Sequence, residues 1–312
     1  MSKILVTGCA GFIGSHLTDQ LLISGYKVCG IDNFNDYYDP RIKEKNLRSA
    51  IKSNSFKLYR GDILDFEFLV KIFKSEKPSK IIHLAARTGV RPSIIDPQLY
   101  TQVNLLGTIN LLKLAVDFKV EQFIFASSSS VYGNSKRLPF RENDPCENII
   151  SPYGASKRAA ELFVETFHRD FKLKSVILRL FTVYGPRGRP DMAPALFTSA
   201  ILKGEKINQF GDGTSSRDYT YVDDIVDGIM KTIRTNLKFE IINLGNNHPV
   251  KLADFIKVSQ KVIGKKAKIN KLAMQVGDVE RTWASIEKAK KLLSWKPKVI
   301  LDEGLKRYVN SL

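Results

Sequence analysis

For its first 180 residues the chain alternates short apolar, β-branched runs with stretches of helical spacing, and this alternation constrains the fold more than any other feature. Residues 3–7, 27–31, 56–60, 80–84, 122–126 and 175–180 read as strands. They are near-continuous apolar runs, as parallel strands covered on both faces require. Residues 13–24 and 97–118 carry helical spacing between them. Strand–helix alternation of this length predicts an α/β protein built on a doubly wound parallel sheet. After Leu180 the rhythm breaks. Pro186, Pro190 and Pro194 interrupt a loop, and a Gly-Asp-Gly turn follows at 211–213. A helix over 222–234 and a strand over 240–244 are expected to return to the first unit. Helices near 252–263, 285–293 and 302–309 build a second.

The first strand runs into Gly8-Cys9-Ala10-Gly11-Phe12-Ile13-Gly14, a GxxGxxG placed between a strand and a helix. Glycine there lets the backbone turn sharply and approach a pyrophosphate, with the helix N-terminus facing the anion. Asp32 ends the second strand about 20 residues on, where its carboxylate can accept from a ribose diol and would repel a 2′-phosphate. That selects NAD as the cofactor. Phe12, Ile13, Asn33, Asp62, Ile63, Leu84, Ala85 and Ala86 follow the first four strands and are expected to line the adenine and dinucleotide groove. The expected division is a dinucleotide-binding (Rossmann) domain over 1–180, rejoined by 222–244, and a smaller C-terminal α/β substrate domain over 181–312. A ligand cleft is expected between them, beyond the carboxyl ends of the strands.

Two Tyr-x-x-x-Lys matches occur, Tyr132/Lys136 and Tyr153/Lys157. The first lies in a turn-forming Gly-Asn-Ser segment, where the spacing has no geometrical meaning. The second opens a stretch rich in helix formers, so its two side chains share one helical face. An ammonium beside the phenol is expected to lower its pKa and make it a base. Strand five ends in four serines, 127–130, whose hydroxyls at a strand's carboxyl end can share a proton with a substrate oxygen.

GxxGxxG, the Ser128…Tyr153-x-x-x-Lys157 set, Arg179-Leu-Phe-Thr-Val-Tyr-Gly-Pro186, Gly277-Asp278-Val279 and Trp295-x-Pro297 resemble the extended short-chain dehydrogenases that epimerise nucleotide sugars, over essentially the whole chain. The resemblance implies that Ser128, Tyr153 and Lys157 are catalytic, with Tyr153 and Lys157 also touching NAD. It further implies a 4-keto intermediate reduced on its other face, and a homodimer through 97–118 and 153–171. Related 4,6-dehydratases carry Asp-Glu directly after the triad hydroxyl, and related decarboxylases a Glu at the second position. Here Ser129 and Ser130 stand there, so a dehydratase or decarboxylase lacks its acid/base. Thr182 stands where UDP-galactose epimerases usually have Asn. The segments 181–192 and 32–39 are similar to UDP-glucuronate 4-epimerases. The substrate is therefore expected to be UDP-glucuronate, interconverted with UDP-galacturonate, with UDP-glucose/UDP-galactose epimerisation as the alternative.

Oxidising C4 of a uronate makes a β-keto acid that loses CO₂ readily, so its carboxylate must be held. Ser127, Ser128 and Thr182 are suited to that through charge-assisted hydrogen bonds. Gln209 and Phe210 are expected at the uracil, Arg217 at the diphosphate, and Asp278 and Arg281 at ribose and phosphate. Arg189 is expected at either the diphosphate or the carboxylate. Arg87 and Thr88 lie in the substrate loop without an assignable role. The family's Thr-x-Ala-Asp reads Thr-x-Ala-Ser285 here.

A formal net charge of +17 raises a nucleic-acid reading. The lysines are scattered over predicted helix surfaces, however, and no nucleic-acid motif accompanies them. They fit an anionic small substrate. Cys9, Cys29 and Cys146 form no CxxC pair, and the four histidines form no metal-ligand cluster. With no signal-peptide pattern and no apolar run of about 18 residues, the expected location is the cytoplasm, away from any membrane. An NAD(H)-sensing module without chemistry is opposed by the intact Ser/Tyr/Lys set.

Overall fold

A computed structural model describes residues 2–274 and 278–312; Gly277 of the family-like segment lies outside the described residues. The strands, in chain order, are β1 (Lys3–Thr7), β2 (Lys27–Asp32), β3 (Phe56–Arg60), β4 (Lys80–His83), β5 (Gln122–Ser128), β6 (Ser175–Leu180), β7 (Thr182–Tyr184), β8 (Lys206–Phe210), β9 (Ser216–Tyr221), β10 (Phe239–Leu244), β11 (Pro249–Lys251) and β12 (Lys268–Leu272). Seven of them form one all-parallel sheet in the order β10-β6-β5-β4-β1-β2-β3. The chain winds outward from β1 in both directions, and the order reverses between β1 and β4. Period-two alternation feeds two cores, one on each face. Ile4, Val6, Ile124 and Leu178 pack on one side, and Leu5, Phe123, Phe125 and Ile177 on the other.

The helix Val222–Arg234 precedes β10, which pairs with β6 from Phe239↔Ser175 to Leu244↔Leu180. The Trp-x-Pro segment fastens the C-terminal part to that helix. Trp295 Nε1 donates to the Asp224 carbonyl at 2.9 Å, and the Asp224 carboxylate accepts the backbone N–H groups of Lys298 and Val299 at 3.0 Å each.

Three features differ from the sequence reading. The stretch 97–118 is not one helix: a π-helical turn, Gln102–Leu106, separates helices Pro97–Thr101 and Gly107–Asp117. The turn aims Asn104 inward, where its Oδ1 accepts the Arg87 N–H at 2.8 Å and its Nδ2 donates to the Arg87 carbonyl at 2.9 Å. The proline-rich loop after Leu180 contains β7 and the helix Ala193–Lys203, whose Pro194 sits in the first turn, where no backbone donor is lost. Finally, there are two small sheets, β11-β9-β7 and β12-β8, whose strands β7, β8 and β9 line the far wall of the cleft.

Candidate active site

A cleft of about 1930 Å³ runs over the carboxyl ends of the large sheet's strands. Its floor is the glycine loop. Gly8 takes φ +72°, and a Cβ there would stand 2.7 Å from the Ala85 backbone nitrogen; one on Gly14 would stand 2.0 Å from the Gly8 carbonyl oxygen. Neither position admits a side chain, so the loop lies flat and the helix Phe12–Ile23 starts at the cleft without a side-chain cap. Asp32 is buried at the end of β2, its carboxylate accepting from Ala10 N at 3.0 Å and Phe34 N at 2.9 Å. Asn33 Nδ2 donates to Asp62 Oδ2 at 2.7 Å. This cradle, with its uncapped helix end and its carboxylate, fits a dinucleotide. Lys43, which the sequence reading missed, is buried in the same wall. Its Nζ donates to the Asn35 carbonyl at 3.1 Å and lies 3.9 Å from Asp32 Oδ1.

Opposite the glycine loop, β5 ends at Ser128 and the chain tightens into a 3₁₀ turn, Ser129–Tyr132, with Ser128 Oγ accepting Ser130 N–H at 3.2 Å. The helix Pro152–Phe171 is capped by Ser151, whose Oγ accepts Gly154 N–H at 3.1 Å, and has Pro152 in its first turn. This fixes Tyr153 and Lys157 one turn apart on the cleft side. Lys157 Nζ donates to the Ala126 carbonyl at 2.8 Å and lies 4.8 Å from the centre of the Phe125 ring. Burial pushes its pKa down to about 7.

The expectation for the Tyr153 phenol needs correction. Burial pushes its pKa up and outweighs the rest; a hydrogen bond with Ser128, and then the charge of Arg189, pull it down. The positive charge that acts on the phenol thus comes from Arg189, which no local spacing could reveal. Arg189 is gripped by Asp191 through Nε–Oδ1 at 3.0 Å and Nη2–Oδ2 at 2.5 Å, and lies 5.1 Å from the centre of the Tyr37 ring. The Tyr100 ring meets Tyr153 edge-on at 6.2 Å, while its hydroxyl donates to the Thr88 carbonyl at 2.6 Å.

The cleft brings together every candidate residue among those described except two. Gln209 is buried, its amide donating to the Gly211 carbonyl at 3.3 Å; the alternation of β8 turns it away while Phe210 faces the cleft. Arg281 is exposed, because the bridge between Ser216 and residue 281 sends Thr282 inward instead. Neither placement agrees with the expected substrate contacts. Ser127 reaches the cleft wall, but its hydroxyl donates to Glu161 at 2.6 Å. Thr182, Arg189, Arg217 and Asp278 all line the cleft. Asp278 is held at 2.9 Å by Arg91, whose guanidinium lies 4.6 Å from the centre of the Phe210 ring. Arg91 also escaped the sequence reading, since its partners lie more than a hundred residues away. Ser285 is buried outside the cleft, its N–H donating to the Phe140 carbonyl at 2.9 Å.

The competing tyrosine is part of the core. Tyr132 is fully buried, stacks on Phe140 at 4.7 Å, and donates its hydroxyl to Asn243 Oδ1 at 2.7 Å, while Lys136 is exposed. Tyr132→Phe strands a buried amide oxygen and is expected to cost about 1–3 kcal/mol of stability. Chemical denaturation reads that loss, and the turnover of the folded variant should stay near wild type.

A family model described as GDP-mannose 4,6 dehydratase matches residues 5–308. A UDP-glucuronate 4-epimerase of Thermodesulfobacterium geofontis is 45% identical over 311 residues, covering 99% of this chain and 96% of the relative. The crystal structure of a UDP-glucuronic acid 4-epimerase from Bacillus cereus, in complex with UDP-glucuronic acid and NAD, superposes with a TM-score of 0.94 at 39% identity, covering 99% of this chain and 98% of that one. A Thermotoga maritima UDP-glucose 4-epimerase with UDP-glucose superposes with a TM-score of 0.91 at 34% identity, over 99% and 98% of the two chains.

Proposed function

We propose a function from the premise that the chain belongs to the family described as GDP-mannose 4,6 dehydratase, within the extended short-chain dehydrogenases. It is an NAD-dependent UDP-sugar 4-epimerase that interconverts UDP-glucuronate and UDP-galacturonate. The observation that carries the epimerase reading is the pair Ser129–Ser130 beside Tyr153, and Thr182 at the start of β7 carries the choice of a uronate. Elimination across C5 and C6 needs a carboxyl group at the sugar, and none is supplied there. Of the cleft's carboxylates, Asp32 and Asp62 lie at the cofactor cradle, Asp191 on Arg189 and Asp278 on Arg91, while Glu205 is exposed just beyond the helix Ala193–Lys203. The likeness to enzymes that the comparisons name as UDP-glucuronate 4-epimerases supports the same choice.

In this reading the glycine loop, Asp32 and Asp62 hold NAD, which when bound supplies a hydride acceptor that is restored within each cycle. Tyr153 takes the proton of the C4 hydroxyl, with Ser128 sharing the hydrogen bond, while Arg189 favours the phenolate. Arg217 and Arg189 anchor the diphosphate, so the 4-keto sugar can turn about that anchor and present its other face. Tyr153 then returns the proton. Thr182 and the serine hydroxyls of 128–130 hold the uronate carboxylate out of line with the C4 carbonyl, which keeps the C5–C6 bond intact.

Purified protein is expected to carry NAD and to epimerise without stoichiometric release of NADH; sustained NADH accumulation with a sugar nucleotide would identify a net dehydrogenase instead. Among the described residues no helix is long and apolar enough to cross a membrane. Leu106, Leu162 and Phe163 expose apolar side chains on the helices flanking the cleft. That supports the homodimer through these helices. Sedimentation should give about twice the 35.2 kDa chain mass, and a double change Leu162→Lys/Phe163→Lys should give the monomer.

A further inference from the structure

Beneath the cleft lies an ionic cluster that the reaction scheme above does not use. Glu161 is fully buried on the helix Pro152–Phe171, one turn beyond Lys157. Its carboxylate accepts four hydrogen bonds: from Ser127 Oγ at 2.6 Å, Arg179 Nε at 2.9 Å, Arg179 Nη2 at 2.8 Å and Arg158 Nη1 at 2.9 Å. Arg179 is itself buried on β6, in register opposite Ser127 on β5. A buried ion pair of this kind is no more stabilising than a well-packed apolar pair, so stability alone does not account for it. What it touches does. Ser127 adjoins Ser128, and Lys157 donates to the carbonyl of Ala126, the residue before Ser127.

We propose that Glu161 is a positioning residue for the reaction: through Ser127 it fixes the end of β5 that presents Ser128, and its carboxylate is the counter-charge for the Lys157 ammonium. The inference rests on Ser128, Tyr153 and Lys157 being the reacting side chains. Lys157 has Glu161 one turn on along its own helix, His83 on β4, and the Ala126 carbonyl and Phe125 ring on β5 around it. His83 is kept neutral by burial between Thr7 and Thr108. Among the described residues Glu161, paired also with Arg179 and Arg158, is the anion in this group, and its charge opposes the burial that lowers the Lys157 pKa. Without it Lys157 gives up its proton at lower pH.

The test uses full-length, NAD-loaded protein. Glu161→Gln leaves Arg179 buried without a partner, so the deciding variant is the double change Glu161→Gln/Arg179→Met, which removes both charges together. It is expected to lower kcat roughly tenfold while KM for the UDP-sugar stays within about twofold, because less of Lys157 then holds its proton. The alkaline fall of its pH–rate profile should move to lower pH. Ser127→Ala, which leaves the ion pair whole, should lower kcat several-fold with NAD retained, and this result stands even if the double variant does not fold. Variants that lose thermal stability yet match wild-type kcat and pH profile would overturn the inference, as would a Ser127→Ala enzyme of unchanged kcat. A wild-type protein that turns over no UDP-sugar sinks the proposed function itself, which separates the two failures.

Discussion

Tyr153→Phe is expected to keep its fold and its NAD and to lose roughly 10²–10⁴-fold in epimerisation rate, the usual worth of a positioned acid/base. The change removes one oxygen and leaves the ring. The edge-on contact with Tyr100 and the helix cap at Ser151 do not depend on the hydroxyl, so the helix stays in place. What is lost is the atom that exchanges the C4 proton. Because Ser128 and Arg189 both act on that oxygen, they keep a bound sugar but have no proton acceptor to assist. Steady-state rates with equal NAD occupancy in wild type and variant measure the effect. A variant within a fewfold of wild type would move the acid/base role off Tyr153.

The second large effect is expected at Thr182. Ser127 has already given its hydroxyl to Glu161, so fewer hydroxyls remain for a uronate carboxylate, and Thr182 is one of them, half-buried at the start of β7. Thr182→Val keeps the volume close and deletes one charge-assisted hydrogen bond, worth about 1.5–3 kcal/mol. Epimerisation of UDP-glucuronate should slow about tenfold or more, and a UDP-4-keto-pentose should appear as the freed carboxylate turns into line with the C4 carbonyl. UDP-glucose has no carboxylate to lose and should give no pentose with either protein. If neither rate nor product mixture changes with UDP-glucuronate, the carboxylate is held elsewhere, and Arg189 is the next residue to alter.

Where chemistry depends on local spacing, the sequence reveals it. The glycine loop, the serine-capped helix carrying Tyr153 and Lys157, and the parallel strands are consequences of neighbours in the chain, and their bounds agree with the structure to within a residue or two. The far wall of the cleft depends on contacts between distant segments. No periodicity could place Arg91 against Asp278, Tyr37 beneath Arg189, or Glu161 under Ser127. Gln209 and Arg281 show the cost of reading extended segments without their register: of the expected pair Gln209–Phe210 only Phe210 faces the cleft, and Thr282 faces it in place of Arg281. The Tyr153 phenol carries a similar lesson, since helical spacing puts Lys157 one turn away but shows neither the burial that raises the phenol's pKa nor the charge of Arg189 that opposes it.

In the proposed function a uronate passes through this cleft unbroken. The most direct measurement gives wild-type protein UDP-glucuronate and, separately, UDP-glucose, and identifies the products by NMR. UDP-galacturonate is expected from the first, with no pentose and no net NADH, and much slower turnover from the second. Preferential conversion of UDP-glucose to UDP-galactose would contradict the uronate assignment, and a 4-keto-6-deoxy or pentose product from the wild type would contradict the epimerase.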